Sequence, residues 1–337
     1  MEKEPHMSAD NRPVNHPKKQ VAQFVEVTAN HAGQRVDNFL MRELKDVPRS
    51  YVYRILRKGE VRVDKKRVKP PRKLVEGEVV RIPPVFLPEK KEAGNVPESL
   101  LAKIKKAILF EDDDLIIINK PSGLAVHGGT GVKFGLIESF RQLRPELSFV
   151  ELVHRLDKET SGIVMLAKNR PTLLALHDLM KASQIEKHYQ TLVKGRWQGG
   201  RQHMKNQLKK QRGEKQKMRV VLDESKDNAN SKTAESFFSP LQHFSFESGD
   251  YSLLKVELIT GRMHQIRIQL TDMGFPLLGD SQYGDFALNR DVKKQLGLKR
   301  LFLHAYYLKF ELPHNNQRYE FEIPLAEDLQ DMIKGLK

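Results

Sequence analysis

The stretch ELVHRLDKETSGIVMLAKN, Glu151 to Asn169, sets a histidine, an arginine and an aspartate within four positions. A Thr-Ser-Gly turn and an apolar run follow. The run IVMLAK has the length and β-branched content of a buried strand. Asp157, lying between Arg155 and Lys158 just ahead of that strand, is either a salt-bridged turn residue or a carboxylate with a task.

Working outward, the strand belongs to a set. AILFE, LIIIN, HYQTLVKG, YSLLKVELI, LHAYYLKFEL and RYEFEIP read as further strands, and RPTLLALHDLMK as a helix with Leu173, Leu174, Leu176 and Leu179 on its inner side. Strands and helices do not alternate strictly, so the expected class is α+β with a mixed, mainly antiparallel sheet, not a doubly wound one. This domain is expected over 102–337. Ahead of it, FLPEKKEAGNVPES has Pro, Gly and charge without periodicity, and 85–101 is read as a linker.

Residues 23–84 read as a small basic module. Val36, Phe39, Leu40 and Leu44 form one helical stripe, and Val52, Ile55 and Leu56 the inner face of a second helix stopped at Gly59. VRVDKKRV reads as a hairpin and EVVRIPPV as a closing strand. Between Arg49 and Lys73 eleven Lys or Arg face two acids, Glu60 and Asp64. Arg54, Arg57 and Lys58 lie off the apolar stripe, and Lys65, Lys66 and Arg67 lie in the hairpin, all suited to phosphate contacts. A second basic stretch, 201–219, carries eight Lys or Arg against Glu214 and is expected to be a projecting loop or hairpin.

The chain has 337 residues, a formal charge of +15 and no cysteine. The charge argues for a polyanionic partner, nucleic acid before membrane. Lack of cysteine excludes disulfides, thiolate metal sites and cysteine nucleophiles. No apolar run approaches the roughly 18 residues of a membrane helix. Residues 1–22 read as a disordered polar tail, and a cytoplasmic, monomeric protein is expected.

Several motifs fail. His127-Gly-Gly-Thr-Gly131 lacks the Lys-Ser/Thr of a P-loop, no Rossmann fingerprint is present, and the twelve histidines show no metal-ligand spacing. His154, Asp157 and Ser161 crowd one segment with no nucleophile elbow. What remains is Asp157 with two downstream partners: Tyr189 in EKHYQTLVKG, and Arg267 in LITGRMHQIRIQLTDMGFPLLGDSQYG with Arg262 and His264 nearby. Alternation in HQIRIQL is read as a strand, with Ile266 and Ile268 on one side and Gln265, Arg267 and Gln269 on the other. For Arg267 a structural ion pair, and for Tyr189 simple packing, are the alternatives.

HRLDKETSG, INKPSGLAVH, KHYQTLVKG, TGRMHQIR, GDSQYG and RLFLHA together resemble the RluA family of pseudouridine synthases. Residues Arg35-Val-Asp-Asn-Phe-Leu, Tyr53 to Val63 and Gly77-Glu-Val-Val resemble the alpha-L RNA-binding fold of ribosomal small-subunit protein four. The resemblance covers about 25 to 330. It implies an isomerase acting on 23S ribosomal RNA or a large-subunit precursor, with no cofactor and no metal. It implies that Asp157 is the catalytic aspartate, Tyr189 stacks on the base and Arg267 pairs with the aspartate. Arg155 would fill the space left by the flipped nucleotide. Lys120 and Pro121 would buttress the active-site loop, with His154, Arg262 and His264 in support. One departure is Gln269, where many members carry histidine. The alternatives are a sister branch acting on other rRNA or tRNA uridines, an RNA-binding factor without chemistry, and a hydrolase of a polyanion, which usually needs two carboxylates.

Overall fold

The structure, a computed structural model, describes residues 21–44, 47–85, 94–129, 132–212, 218–223, 231–247 and 249–336. The expected tail lies outside them up to residue 20. Two compact units divide the chain, Met1–Asn95 and Val96–Lys337.

The first unit runs β1 (Gln23–Glu26), α1 (Val36–Glu43), α2 (Arg49–Lys58), β2 (Arg62–Val63), β3 (Lys66–Arg67) and β4 (Val79–Ile82). Its strands order as β1-β4-β2-β3. Both expected stripes are buried, Val36, Phe39, Leu40 and Leu44 packing with Val52, Ile55 and Leu56 and with Val63, Val80 and Ile82. Asp64 and Lys65 have φ of 47° and 65°, the two-residue hairpin turn whose twist matches its strands. Gly59 ends α2 in the left-handed region at φ 70°. Asp37 explains the Arg35-Val-Asp pattern: its buried carboxylate accepts from Arg35 Nε (3.0 Å) and from Tyr53 Oη of α2 (3.0 Å). Strand β1 carries no alternation and escaped the sequence reading.

The second unit begins with α3 (Glu98–Lys106), β5 (Ile108–Glu111), β6 (Leu115–Lys120), α4 (Leu136–Leu143), β7 (Glu151–Leu152) and β8 (Ser161–Ala167). It continues with α5 (Arg170–Lys181), β9 (Glu186–Lys194), β10 (Gln202–Arg212), β11 (Met218–Leu222), β12 (Lys232–Phe246) and β13 (Gly249–Leu258). Last come α6 (Gln265–Asp272), α7 (Phe286–Leu296), β14 (Leu303–Leu312), β15 (Gln317–Glu322) and α8 (Glu327–Lys334). Helix α3 shortens the expected linker: Pro97 caps it, Glu98 favours its first turn, and Ile104 is buried.

One sheet orders the strands β11-β10-β12-β13-β9-β14-β8-β6-β5, with β15 beside β14 and β7 beside β8. Among the described pairings only β14 with β8 is parallel. Both faces of the sheet centre are covered, which is why LIIIN is continuously apolar. Ile116, Ile118, Val164 and Leu166 pack with Phe140 of α4, while Leu115, Ile117, Ile163 and Met165 pack with Leu173, Leu176 and Leu179 of α5. Leu174, expected inside, is 43% exposed because it faces away from the other three. The basic stretch 201–219 is the edge pair β10–β11, with 213–217 outside the described residues.

Candidate active site

Asp157 sits on the loop joining β7 to β8, and that loop is held at both ends. At its start, His154 Nε2 accepts from the Met165 backbone N–H of β8 at 3.2 Å. Burial pushes His154 down to about 4, so its ring is neutral and able to accept. At its end, Ser161 Oγ lies 2.8 Å from His304 Nδ1 of β14, not on His154. His304 Nε2 meets the Pro324 carbonyl at 3.0 Å, so Nε2 carries the proton and Nδ1 accepts from Ser161. Gly162, with φ of 114°, completes the Thr-Ser-Gly turn; a Cβ there would meet the Ala305 carbonyl oxygen at 2.1 Å.

Beneath the loop lies the turn after β6. Lys120 is fully buried, and its Nζ donates to the carbonyls of Pro121 (3.0 Å), Leu124 (2.8 Å) and Lys158 (3.2 Å). Ser122 Oγ donates to Glu159 O at 2.7 Å and Gly123 N–H to Lys158 O at 2.9 Å. The Lys-Pro-Ser-Gly turn is thus bonded to the two residues after Asp157. Burial pushes the Lys120 amine down to about 7, although Asp157 and Glu159 favour its charge.

Arg267 reaches Asp157 from α6. Residues 265–270 are a helix, not the expected strand. All six are buried, so no apolar stripe exists to show a 3.6-residue period, and alternating Gln, Ile and Arg imitates a period of two. Each polar member has its own partner. Gln265 Nε2 donates to Ser236 Oγ at 2.8 Å. Gln269 receives Ser236 Oγ (2.9 Å) and donates to Asn206 Oδ1 (3.0 Å), tying α6 to β12 and β10. Gln269 is therefore a packing residue.

Arg267 Nη1 donates to Asp157 Oδ2 at 3.2 Å, while Nε and Nη2 each donate to Asp280 at 2.7 Å. Burial works against the guanidinium charge, but the Asp280 bonds and both carboxylates raise Arg267 above its ordinary value. Burial also opposes the Asp280 charge, yet Arg267 and the N–H groups of Tyr283 and Gln282 hold its carboxyl below the usual range. Asp280 is the residue that sequence reading missed. Its signal was Gly279: with φ of 74°, a Cβ there would lie 1.9 Å from the Arg300 carbonyl oxygen.

His264 caps α6 in the left-handed region at φ 55°. Tyr283 Oη accepts from Gln282 Nε2 (3.2 Å) and Val220 N–H (3.3 Å), so its proton goes to His264 Nδ1 at 2.9 Å. His264 Nε2 then faces Asp157 Oδ2 at 3.7 Å. Burial lowers this imidazole, which leaves it neutral near pH 7. Arg262 is exposed, with Nε donating to Thr233 O at 2.9 Å.

These groups open on a cleft of about 360 Å³ lined by Asp157, Arg155, Tyr189, Ile266 and Leu303 among others. That volume suits one small ligand moiety. Tyr189 is 6% exposed and belongs to the core while also lining the cleft. Burial first, then Asp157, raises its phenol well above the usual range. Arg155 is exposed at the rim. The structure thus brings Arg155, His154, Asp157, Tyr189, Arg262, His264 and Arg267 to one cleft, with Lys120 and Pro121 under its loop. Arg54, Arg57, Lys58, Lys65, Lys66 and Arg67 are exposed on the first unit.

Residues 114–272 match the RNA pseudouridylate synthase family and residues 34–80 the S4 domain. The ribosomal large subunit pseudouridine synthase C of Yersinia pestis is 44% identical over 324 residues, covering 94% of this chain and 96% of that protein. The protein of the same name from Escherichia coli strain K12 is 43% identical over 319 residues, covering 93% and 96%. The solved structure of human RNA pseudouridylate synthase domain containing 4 shares the fold at a TM-score of 0.56 and 24% identity, over 71% of this chain and 95% of that one. The cleft with its aspartate and arginine, the basic first unit and near full-length likeness lead to one conclusion: the chain belongs to the RluA family of pseudouridine synthases, isomerases that act on RNA.

Proposed function

We propose that this protein isomerises specific uridines of 23S ribosomal RNA, free or in a large-subunit precursor, with Asp157 as nucleophile on a flipped-out uridine. The names of the full-length relatives support the substrate class. The observation that carries the chemistry is the Asp157 carboxylate, 3.2 Å from Arg267 and open to a cleft walled by Tyr189.

The N1–C1′ bond of the uridine breaks, the uracil turns over, and C5 joins C1′. C5 loses one proton and N1 gains one, so nothing is oxidised or hydrolysed. Arg267, donating to Asp157 Oδ2 and anchored by Asp280, orients the nucleophile. Tyr189 stacks on the base, and stacking returns about 1–3 kcal/mol against the few kcal/mol of unstacking. Arg155 fills the place that the nucleotide leaves. Exposed cations of the first unit and of β10 hold phosphates. With ribosomal RNA as its substrate, the protein works as a monomer in the cytoplasm.

Pseudouridine mapping of 23S rRNA from cells with and without this protein tests the reading. Specific positions are expected to revert to uridine in its absence and to return with the wild-type chain but not with Asp157→Asn. Unchanged modification, or full rescue by Asp157→Asn, overturns it.

A further inference from the structure

Lys187 is a buried charge that the mechanism above leaves unused. On β9 the residues Lys187, Tyr189, Thr191 and Val193 are all buried, and the strand alternation puts them on one face. Lys187 therefore points the way Tyr189 points, two positions earlier, roughly 6.5–7 Å along the strand. It is 5% exposed and lines the same cleft as Asp157 and Tyr189.

Buried ammonium groups are normally paired, since leaving one alone in a dry site costs several kcal/mol. Lys120 shows the usual solution, with three backbone carbonyls on its Nζ. Lys187 has no hydrogen-bond or ion-pair partner among the described residues. Of the other cations lining the cleft, Arg267 is engaged by two carboxylates, Arg262 by the Thr233 carbonyl and Lys181 by Asp178, while Arg155 is exposed at the rim and not buried as Lys187 is. Burial is what acts on Lys187, pushing its amine down to about 8, whereas the Asp157 carboxylate acts on Lys120, Tyr189 and His264.

We propose that the Lys187 ammonium binds a carbonyl oxygen of the flipped uracil and carries the charge which that oxygen takes on as the N1–C1′ bond breaks. The inference rests on the pseudouridine synthase reading of the cleft. When the bond breaks, its electron pair passes into the ring, and the charge spreads over N1, O2 and O4. A donor fixed in a water-poor site and aimed at developing charge is worth far more than one in water. The geometry of the isomerisation adds a reason for one fixed donor. Turning the ring about its N3–C6 axis exchanges N1 with C5 and O2 with O4. A single ammonium therefore meets a carbonyl oxygen before the turn and again after it. C5 then bonds to C1′, the C5 proton leaves, N1 takes up a proton, and the uracil is neutral again.

The test uses the full chain, an unmodified 23S rRNA transcript carrying [5-³H]uridine, and tritium release as the readout. Lys187→Met keeps the length and apolar stem and removes the charge. The expected result is a fall in kcat of about 100-fold, with KM within a few fold, as for loss of one oxyanion donor. Lys187→Arg should recover about a tenth or more of the wild-type kcat. The melting temperature of Lys187→Met should not drop, because the amine bonds to no group of the protein that the change would leave unsatisfied. Three results overturn the proposal: kcat within threefold of wild type; a loss confined to KM with a shallower salt dependence, which makes Lys187 a phosphate contact; or a lowered melting temperature with Lys187→Arg no better than Lys187→Met, which makes it a packing residue. A wild-type chain inactive on this transcript sinks the substrate assignment instead and is distinguishable from all three.

Discussion

Arg57 and Arg267 carry the same guanidinium and live under opposite rules. Arg57 projects from the exposed face of α2 in the first unit, in a stretch where Lys and Arg far outnumber acids. Arg267 is 8% exposed in the second unit and meets two carboxylates, Asp280 at 2.7 Å and Asp157 at 3.2 Å. Water solvates the first charge at little cost, so it stays available to any phosphate that arrives. The second is stable only because its partners are placed to receive it. Under the proposed function, one kind of charge sets how tightly a polyanion is held and the other what happens to it.

That contrast is broken most directly at Asp157. Asp157→Ala is expected to lower kcat by more than about 10⁴-fold, the scale for loss of a nucleophile. Its affinity for 23S rRNA in filter binding should stay within a few fold, since an anionic side chain contributes no attraction to phosphate. A parallel loss of affinity would put Asp157 among the binding charges and erase the distinction. Next comes Asp280, whose removal leaves Arg267 with Asp157 alone. Asp280→Ala is expected to cost about 3–5 kcal/mol of unfolding free energy, measured in urea. Arg57→Ala should cost nothing measurable in the same experiment.

Buried imidazoles sharpen the contrast through pH. His304 is fully buried and pushed down to about 4 by burial, against an ordinary value of 6.5. Its neutral ring is what accepts from Ser161 and fixes the end of the Asp157 loop. Above pH 6.5 both folded and unfolded forms are neutral and stability is intact. Between 6.5 and about 4 the unfolded chain takes up a proton that the folded one refuses, so stability falls as pH falls, by at most about 3 kcal/mol. His154, shifted the same way, adds to the slope. Melting curves across that window should steepen downward for wild type and flatten partly for His304→Gln.

The same difference in burial explains what could be read in advance. An amphipathic helix writes its stripe into the sequence, so Val36, Phe39, Leu40, Val52, Ile55 and Leu56 disclosed the first unit without coordinates. The continuous run Leu115–Ile118 disclosed a strand, and the cover on both of its faces is what makes the run unbroken. Helix α6 stayed hidden because Gln265, Arg267 and Gln269 are satisfied inside the protein, where polarity no longer marks a surface. Asp157, Tyr189 and Arg267 stood out by the company they keep in sequence. Asp280 and Lys187 did not, because an ion pair and an unpaired amine are both facts of space. Lys120 lay between, its motif visible and its three carbonyl bonds not.

The smallest effects belong to the exposed cations, and they are measured as a slope. Removing one cation from a phosphate lowers the gradient of log affinity against log salt by roughly 0.7–0.9. Arg57→Ala, Lys65→Ala and Arg67→Ala are each expected to weaken 23S rRNA binding by a few fold near physiological salt. Taken together they should flatten the plot by about two to three units. At saturating RNA their kcat should equal that of wild type, because none of them lines the cleft. Arg267→Lys supplies the opposite control: it should keep the wild-type slope and lose rate, since one ammonium cannot reproduce the fork that meets both carboxylates. A triple variant with an unchanged salt slope would remove the first unit from the RNA interface. The two kinds of charge would then differ in burial alone, with no division of labour between them.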